Sequence, residues 1–292
     1  MSVINREHKD RLFHFLFGNA EHKEWILSLY NAVNGSSYKN PDDIQIMTIG
    51  DVIYMGMKND SSFIISDILN IYEQQSTYNP NMPIRLLMYA GRLYDKYIHM
   101  NHKNIYSSSL VQLPVPKLIV FYNGMDEKED TILKLSDAFV SEKDAEKGRA
   151  QLEYDIEVKV RMININHGHN QPLMDQCSPL AEYAWLVDRI RKNSAEMEIE
   201  SAVDKAIDDM PDSYQIRKYL VANRSEVKNM CITEYNEAET MRMLREEAEE
   251  KAEEKFGRLI AFLMAGGMTE EVKKAASDKA ARAEMYRKYG IV

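Results

Sequence analysis

With 292 residues, 45% hydrophobic and 28% charged, the chain has room for one large domain or a domain plus an appendage, and its composition fits a soluble globular protein. A formal net charge of −9 argues on its face against nucleic acid, whose phosphates favour a basic surface. That charge is uneven, however: residues 1–122 carry 11 Lys+Arg and 11 Asp+Glu, whereas 123–292 carry 26 and 35.

The opening "MSVINREHKDRLFHFLF" lacks the apolar core and small-residue cleavage site of a secretory signal. No apolar run approaches the roughly 20 residues that span a bilayer. Cys177 and Cys231 form neither a disulfide framework nor a metal-ligand spacing. The expectation is a cytoplasmic protein with reduced thiols and no membrane partner.

In chain order, Phe13, Leu16 and Phe17, then Trp25, Ile26, Leu29 and Tyr30, recur at helical spacing, broken near Gly18-Asn19. "NGSSYKNPDD" is a loop. From Ile44 to Ser76 short apolar and β-branched runs predict three strands in sequence. After Pro80 and Pro83 comes a helix over 83–99, and "PKLIVFYNG" (116–124) reads as a buried strand. Residues 152–162, "LEYDIEVKVRM", alternate strictly and predict a half-solvated strand near a sheet edge. Beyond Pro172 the pattern is helical, with segments around 201–210, 214–230 and 233–265. Gly266-Gly267 is a break, and Thr269-Glu270-Glu271 a helix start. The domain expectation is 1–170 for an α/β core of α+β type, 171–265 for a helical region and 266–292 for a small helical tail.

Between the second and third strands lies a chemical oddity. If a hairpin turns at Ser66-Asp67, facing residues have numbers summing to 133, and Asp60 stands opposite Glu73 with Cα atoms about 4.5–5.5 Å apart. Gln75 shares that face with Glu73, Ser62, Ile64, Leu69 and Ile71, while Phe63, Ile65, Ile68 and Tyr72 take the other. Two carboxylates so close repel unless one is protonated or a cation lies between them. Mg²⁺ suits such a site, because it takes oxygen ligands and is commonly held by one or two carboxylates plus substrate phosphate. The plainer alternative is a solvated hairpin with two acids at its open end. In the following helix Arg85, Arg92 and Lys96 fall on one stripe, either a solvated face or cations for phosphates beside the acids.

These pieces together resemble the PD-(D/E)XK nuclease superfamily: Asp60, a hairpin, then Glu73-Gln74-Gln75, within helix–strand–strand–strand–helix–strand order. The nearer likeness is to its Rpn branch, the recombination-promoting nucleases also labelled PD-(D/E)XK family transposases. There a glutamine replaces the usual lysine, as Gln75 does here. "KDRLFHFLF", with Asp10, Phe13, Leu16 and Phe17, is similar to the branch's opening. "YNPNMPIRLLMYAGRLY" is similar to its post-motif helix and "KLIVFYNG" to its fourth strand. The motifs cover residues 5 to 125, and the general organisation continues to about 240.

The resemblance implies a restriction-endonuclease-like core that cleaves DNA phosphodiester bonds with Mg²⁺ or Mn²⁺. Asp60 and Glu73 would ligate the metal with the Gln74 carbonyl, and Gln75 would orient water or phosphate. Arg85, Arg92 and Lys96 would hold DNA phosphates. Two-strand cutting with one site per chain would call for a homodimer. Asp10 is either an acid near the site or a solvated first-turn residue. The alternative function is a catalytically weak or inactive nuclease fold that binds DNA or a protein, favoured by the acidic downstream half and by Gln75. His167 and His169 read as a polar turn rather than a metal site. "MLREEAEEKAEEKFGRLIAFLM" reads as a solvated helix with Glu-to-Lys pairs.

Overall fold

The computed structural model describes residues 12–47, 61–139 and 153–291, with backbone alone at 237–239, 241 and 245. The chain divides into two compact units, Met1–Glu234 and Tyr235–Val292. The first is a mixed α/β unit built on a six-stranded sheet, with N-terminal helices before it and helices after it.

α1 (Leu12–Phe17) and α2 (Lys23–Asn34) are separated at Gly18-Asn19, where the helical spacing breaks. The Asn19 side chain accepts from the Glu21 N–H and starts a single 3-10 turn before α2. β1 (Ile44–Ile46), β2 (Ser61–Ile65) and β3 (Ile68–Gln75) follow as an antiparallel run. Ile65 faces Ile68 and Ser61 faces Tyr72, which is the hairpin register expected from the sequence. α3 (Met82–Met100) carries Pro83 in its first turn, where a missing N–H costs nothing. Its inner stripe of Met82, Leu86, Tyr89, Ala90 and Leu93 recurs at helical spacing and lies buried. Each large side chain so buried stabilises the fold by about 2 kcal/mol.

β4 (Val115–Tyr122) pairs parallel with β3, and β6 (Lys159–Asn164) parallel with β4; β5 (Thr131–Lys134) closes the sheet antiparallel to β6. The strand order is β1-β2-β3-β4-β6-β5. Here the structure corrects the expectation for 152–162. The strand begins only at Lys159 and lies inside the sheet, because β5, which the sequence did not mark, takes the edge. Tyr154 and Ile156, though in phase with Val158 and Val160, are exposed.

Alternate side chains feed two cores. Phe63, Ile65, Tyr72, Ile119, Phe121 and Ile163 pack with α1, α2 and the later helices. Ile64, Leu69, Ile71, Val120, Val160 and Met162 pack under α3. On the first face α4 (Gln171–Gln176), α5 (Ser178–Ser194), α6 (Ile199–Asp208) and α7 (Arg217–Ala222) contribute Leu180, Tyr183, Leu186, Val203, Ile207 and Leu220.

α8 (Arg224–Ala265) is continuous where two helical segments were expected. The break falls earlier, at Asn223, whose side-chain amide donates to the Tyr219 carbonyl and ends α7. In the second unit α9 (Thr269–Ser277) and α10 (Lys279–Lys288) share a small core of Leu259, Leu263, Ala275 and Met285. The acidic stretch at 246–254 is exposed, with Glu247–Lys251 and Glu254–Arg258 pairs one turn apart. Among the described residues no helix is long and apolar enough to cross a membrane.

Candidate active site

The last three residues of β3 are polar and buried: Glu73, Gln74 and Gln75. Strand alternation turns Glu73 and Gln75 toward α3, on the face of Leu69 and Ile71, and turns Gln74 to the opposite face. A carboxylate that is 2% exposed, as Glu73 is, requires a compensating charge or proton. Arg85 supplies the charge. Its Nη2 stands 3.6 Å from Glu73 Oε2 and donates to the Tyr89 hydroxyl at 3.3 Å, while Nη1 reaches the Met82 sulfur. Arg85 is therefore turned into the sheet face, beside the acid.

Two further groups on this side are unusual. The Gln75 Nε2 amide and the Arg92 Nη1 are both buried and have no hydrogen-bond partner among the described residues. Arg92 lies two turns beyond Arg85 on α3, and Lys96 one turn further, half-buried. A buried donor left without an acceptor costs about 1–3 kcal/mol. Such groups mark a place where an acceptor from outside the fold would be welcome.

Asp60 and Asp10 lie outside the described residues. Among those described, no group of three or more His, Cys, Asp or Glu side chains gathers to hold a metal ion. What β3 offers a metal is one carboxylate, Glu73, and one amide side chain, Gln75. These hard oxygen donors fit Mg²⁺, which keeps several waters and needs only one or two carboxylates. The ion would compete with Arg85 for Glu73. His167 and His169 are exposed on a turn around Gly168.

On the other face of the same strand ends is a polar network that the sequence did not announce. Gln74 Nε2 donates to Asn123 Oδ1, and Asn123 Nδ2 donates to the Tyr183 hydroxyl at 3.1 Å. Arg191 donates to the Asn123 carbonyl and, at 2.9 Å, to Asn166 Oδ1. Asn166 Nδ2 donates in turn to the Gly124 carbonyl and to Asn164 Oδ1, both at 3.0 Å. The signals available were the Asn-Gly after β4 and the asparagines in "NINHGHN", which alone mean turns. Gly124 has a steric reason as well: a Cβ there would fall 2.5 Å from the Ser76 carbonyl oxygen and 2.4 Å from the Tyr122 hydroxyl.

Comparison with protein-family models, with curated proteins and with solved structures returned no match.

Proposed function

We propose that the protein is a metal-dependent DNA endonuclease with a PD-(D/E)XK-like core, hydrolysing phosphodiester bonds at the end of β3. The observation that carries this reading is the buried Glu73, paired with Arg85 and flanked by a buried Gln75 amide nitrogen that has no partner among the described residues, at the end of the β2–β3 hairpin. A folding role alone would not favour three buried polar residues in a row. In the proposal Asp60 adds the second carboxylate, with Glu73 and the Gln74 carbonyl completing the protein's share of the ligands.

When bound, Mg²⁺ or Mn²⁺ would polarise the phosphoryl oxygen and make a water more acidic. The chain's own residues do the rest. Gln75 donates from Nε2 to a phosphate oxygen or holds the attacking water. It orients without delivering charge, because an amide can be neither a cation nor a proton donor of a lysine's kind. Arg85 would offer its fork to a phosphate beside Glu73, with Arg92 and Lys96 tracking the strand beyond. A role in recombination or in transposase-like elements, and a homodimer for two-strand cutting, belong to the same proposal through the family resemblance.

The Arg85–Glu73 pair also favours a second reading, a catalytically weak fold that binds DNA or a protein, since the pair already neutralises the acid without a metal. Supercoiled-plasmid nicking with Mg²⁺ or Mn²⁺ separates the two. Wild-type nicking lost in both Asp60→Ala and Glu73→Ala supports the nuclease. Absence of wild-type nicking on several DNA forms, or nicking that survives both substitutions, sinks it and leaves the binding role.

A further inference from the structure

Arg191 is a half-buried cation that makes no ion pair among the described residues. It leaves α5 and reaches the carboxyl ends of β4 and β6, where it donates to two neutral groups, the Asn123 carbonyl and Asn166 Oδ1. No carboxylate among the described residues lies within ion-pair distance of it. The acids nearby are engaged elsewhere: Asp188 with Lys192 at 2.6 Å, Glu234 with the Leu12 N–H at 2.7 Å, and Asp130 with the Asn164 N–H and the Asn170 amide, both at 2.8 Å. Burial accordingly pushes the guanidinium pKa down.

A partly buried cation held only by neutral acceptors is an expensive arrangement unless something anionic completes it. The geometry is prepared for that. Asn166 cannot rotate freely, because its Nδ2 is bonded to Gly124 and Asn164, and so its Oδ1 fixes the plane of the guanidinium. Two bonds use two of an arginine's five donors. Arg191 is half-buried rather than sealed in, so part of the residue still meets solvent. In open α/β sheets this is also where ligands gather, outside the carboxyl ends of parallel strands. Here β3, β4 and β6 run parallel, and the Asn123 N–H bonds the carbonyl of Gln75 itself.

We infer that Arg191, oriented by Asn166 and Asn123, anchors a phosphate-binding site at the carboxyl ends of β4 and β6. The planar fork suits two phosphate oxygens at once. The inference deepens the nuclease proposal and takes from it the expected source, a strand phosphate flanking the scissile one; a free phosphate would offer the same oxygens.

The test needs no metal and no turnover. Thermal unfolding is followed in EDTA at constant ionic strength as chloride is replaced by inorganic phosphate, for wild type, Arg191→Gln and Arg191→Lys. Wild type should gain about 3 °C or more, saturably, Arg191→Lys part of it, and Arg191→Gln none. No gain in wild type beyond that in chloride, or an equal gain in Arg191→Gln, overturns the site. Should Arg191→Gln not fold, wild type and Arg191→Lys decide: equal gains count against the fork, a reduced gain for it. A short duplex oligonucleotide giving the same Arg191-dependent gain identifies a strand phosphate. A gain with inorganic phosphate but none with duplex identifies a free one, and both uphold the site. Glu73→Gln should retain the phosphate gain, so loss of the nuclease reading and loss of this one would be seen separately.

Discussion

Arg85 and Glu73 stand 3.6 Å apart across the α3–β3 interface, with the carboxylate sealed in and the guanidinium about one-third exposed. The pair is an electrostatic plug. Remove the cation and the buried acid loses its ion pair, a change that costs about 3–5 kcal/mol. Arg85→Gln should therefore lower the thermal midpoint by several degrees, and Glu73→Gln added to it should recover most of the loss. If the site takes a metal, Mg²⁺ should raise the midpoint of Arg85→Gln more than that of wild type. Equal effects of Mg²⁺ on the two proteins would count against competition at Glu73.

Gln75 makes the opposite prediction. Its amide nitrogen is buried without a partner among the described residues, so Gln75→Leu should leave stability unchanged or raise it by up to about 1 kcal/mol. In the nuclease reading the same substitution lowers nicking by about 10²-fold. Urea denaturation beside a plasmid assay reads both. A large loss of stability would mean the amide is structurally bonded after all.

Asn123 joins Gln74, Tyr183 and Arg191. Asn123→Ala strips a buried acceptor from Gln74 and should cost about 1–3 kcal/mol in chemical denaturation. Gly124→Ala should cost a similar amount for a steric reason, since its methyl would meet backbone at Ser76. A neutral Gly124→Ala would require that the turn relax freely.

Asp278 caps α10, accepting from the N–H groups of Ala281 and Ala280, and these bonds hold its carboxyl below the ordinary 3.8. A depressed folded value means a contribution present above pH 3.8 and lost as pH falls through the lower folded pKa. Amides of 280–288 should exchange faster in Asp278→Ala at neutral pH, with the difference from wild type vanishing in acid. A difference that persists at low pH would point to something other than the carboxylate.

Cys177 and Cys231 are buried, and burial pushes the Cys177 thiol up to about 11 and that of Cys231 higher still. Neither should react with a thiol reagent at pH 8 faster than the chain opens, while both should react at once in denaturant. Rapid labelling of the native protein would contradict the packing around them.

The hairpin register was legible for a physical reason. Only one alternation sends Phe63, Ile65 and Tyr72 to one core and Ile64, Leu69 and Ile71 to the other, so a slip by one residue would invert every side chain. α3 was legible from its prolines and its stripe. β5 was not: four residues, "TILK", with Ile132 exposed, leave too little pattern to separate an edge strand from a loop. Its absence made β6 look like the edge. The Arg85–Glu73 pair was not legible either, because spacing alone cannot say which rim of a helix dips toward a sheet. The Asn123–Arg191 network could not be read at all, because its members meet only when three strand ends and α5 converge.

The sheet's wiring has a consequence for how the protein comes into being. β2 and β3 pair through a two-residue turn, whereas β4 and β6 must each be delivered by a long crossover. Local pairings are quick and distant parallel ones slow. During synthesis the hairpin bearing Glu73 can therefore form before its neighbours on the Tyr122 side exist. Until then its polar tip is wetted, and its charge costs nothing. The acid is shut away only as α3 and β4 arrive, and the Arg191 side assembles last. Pulse-labelled exchange during refolding should find β2 and β3 amides protected before those of β6, and the reverse order would contradict this sequence of assembly.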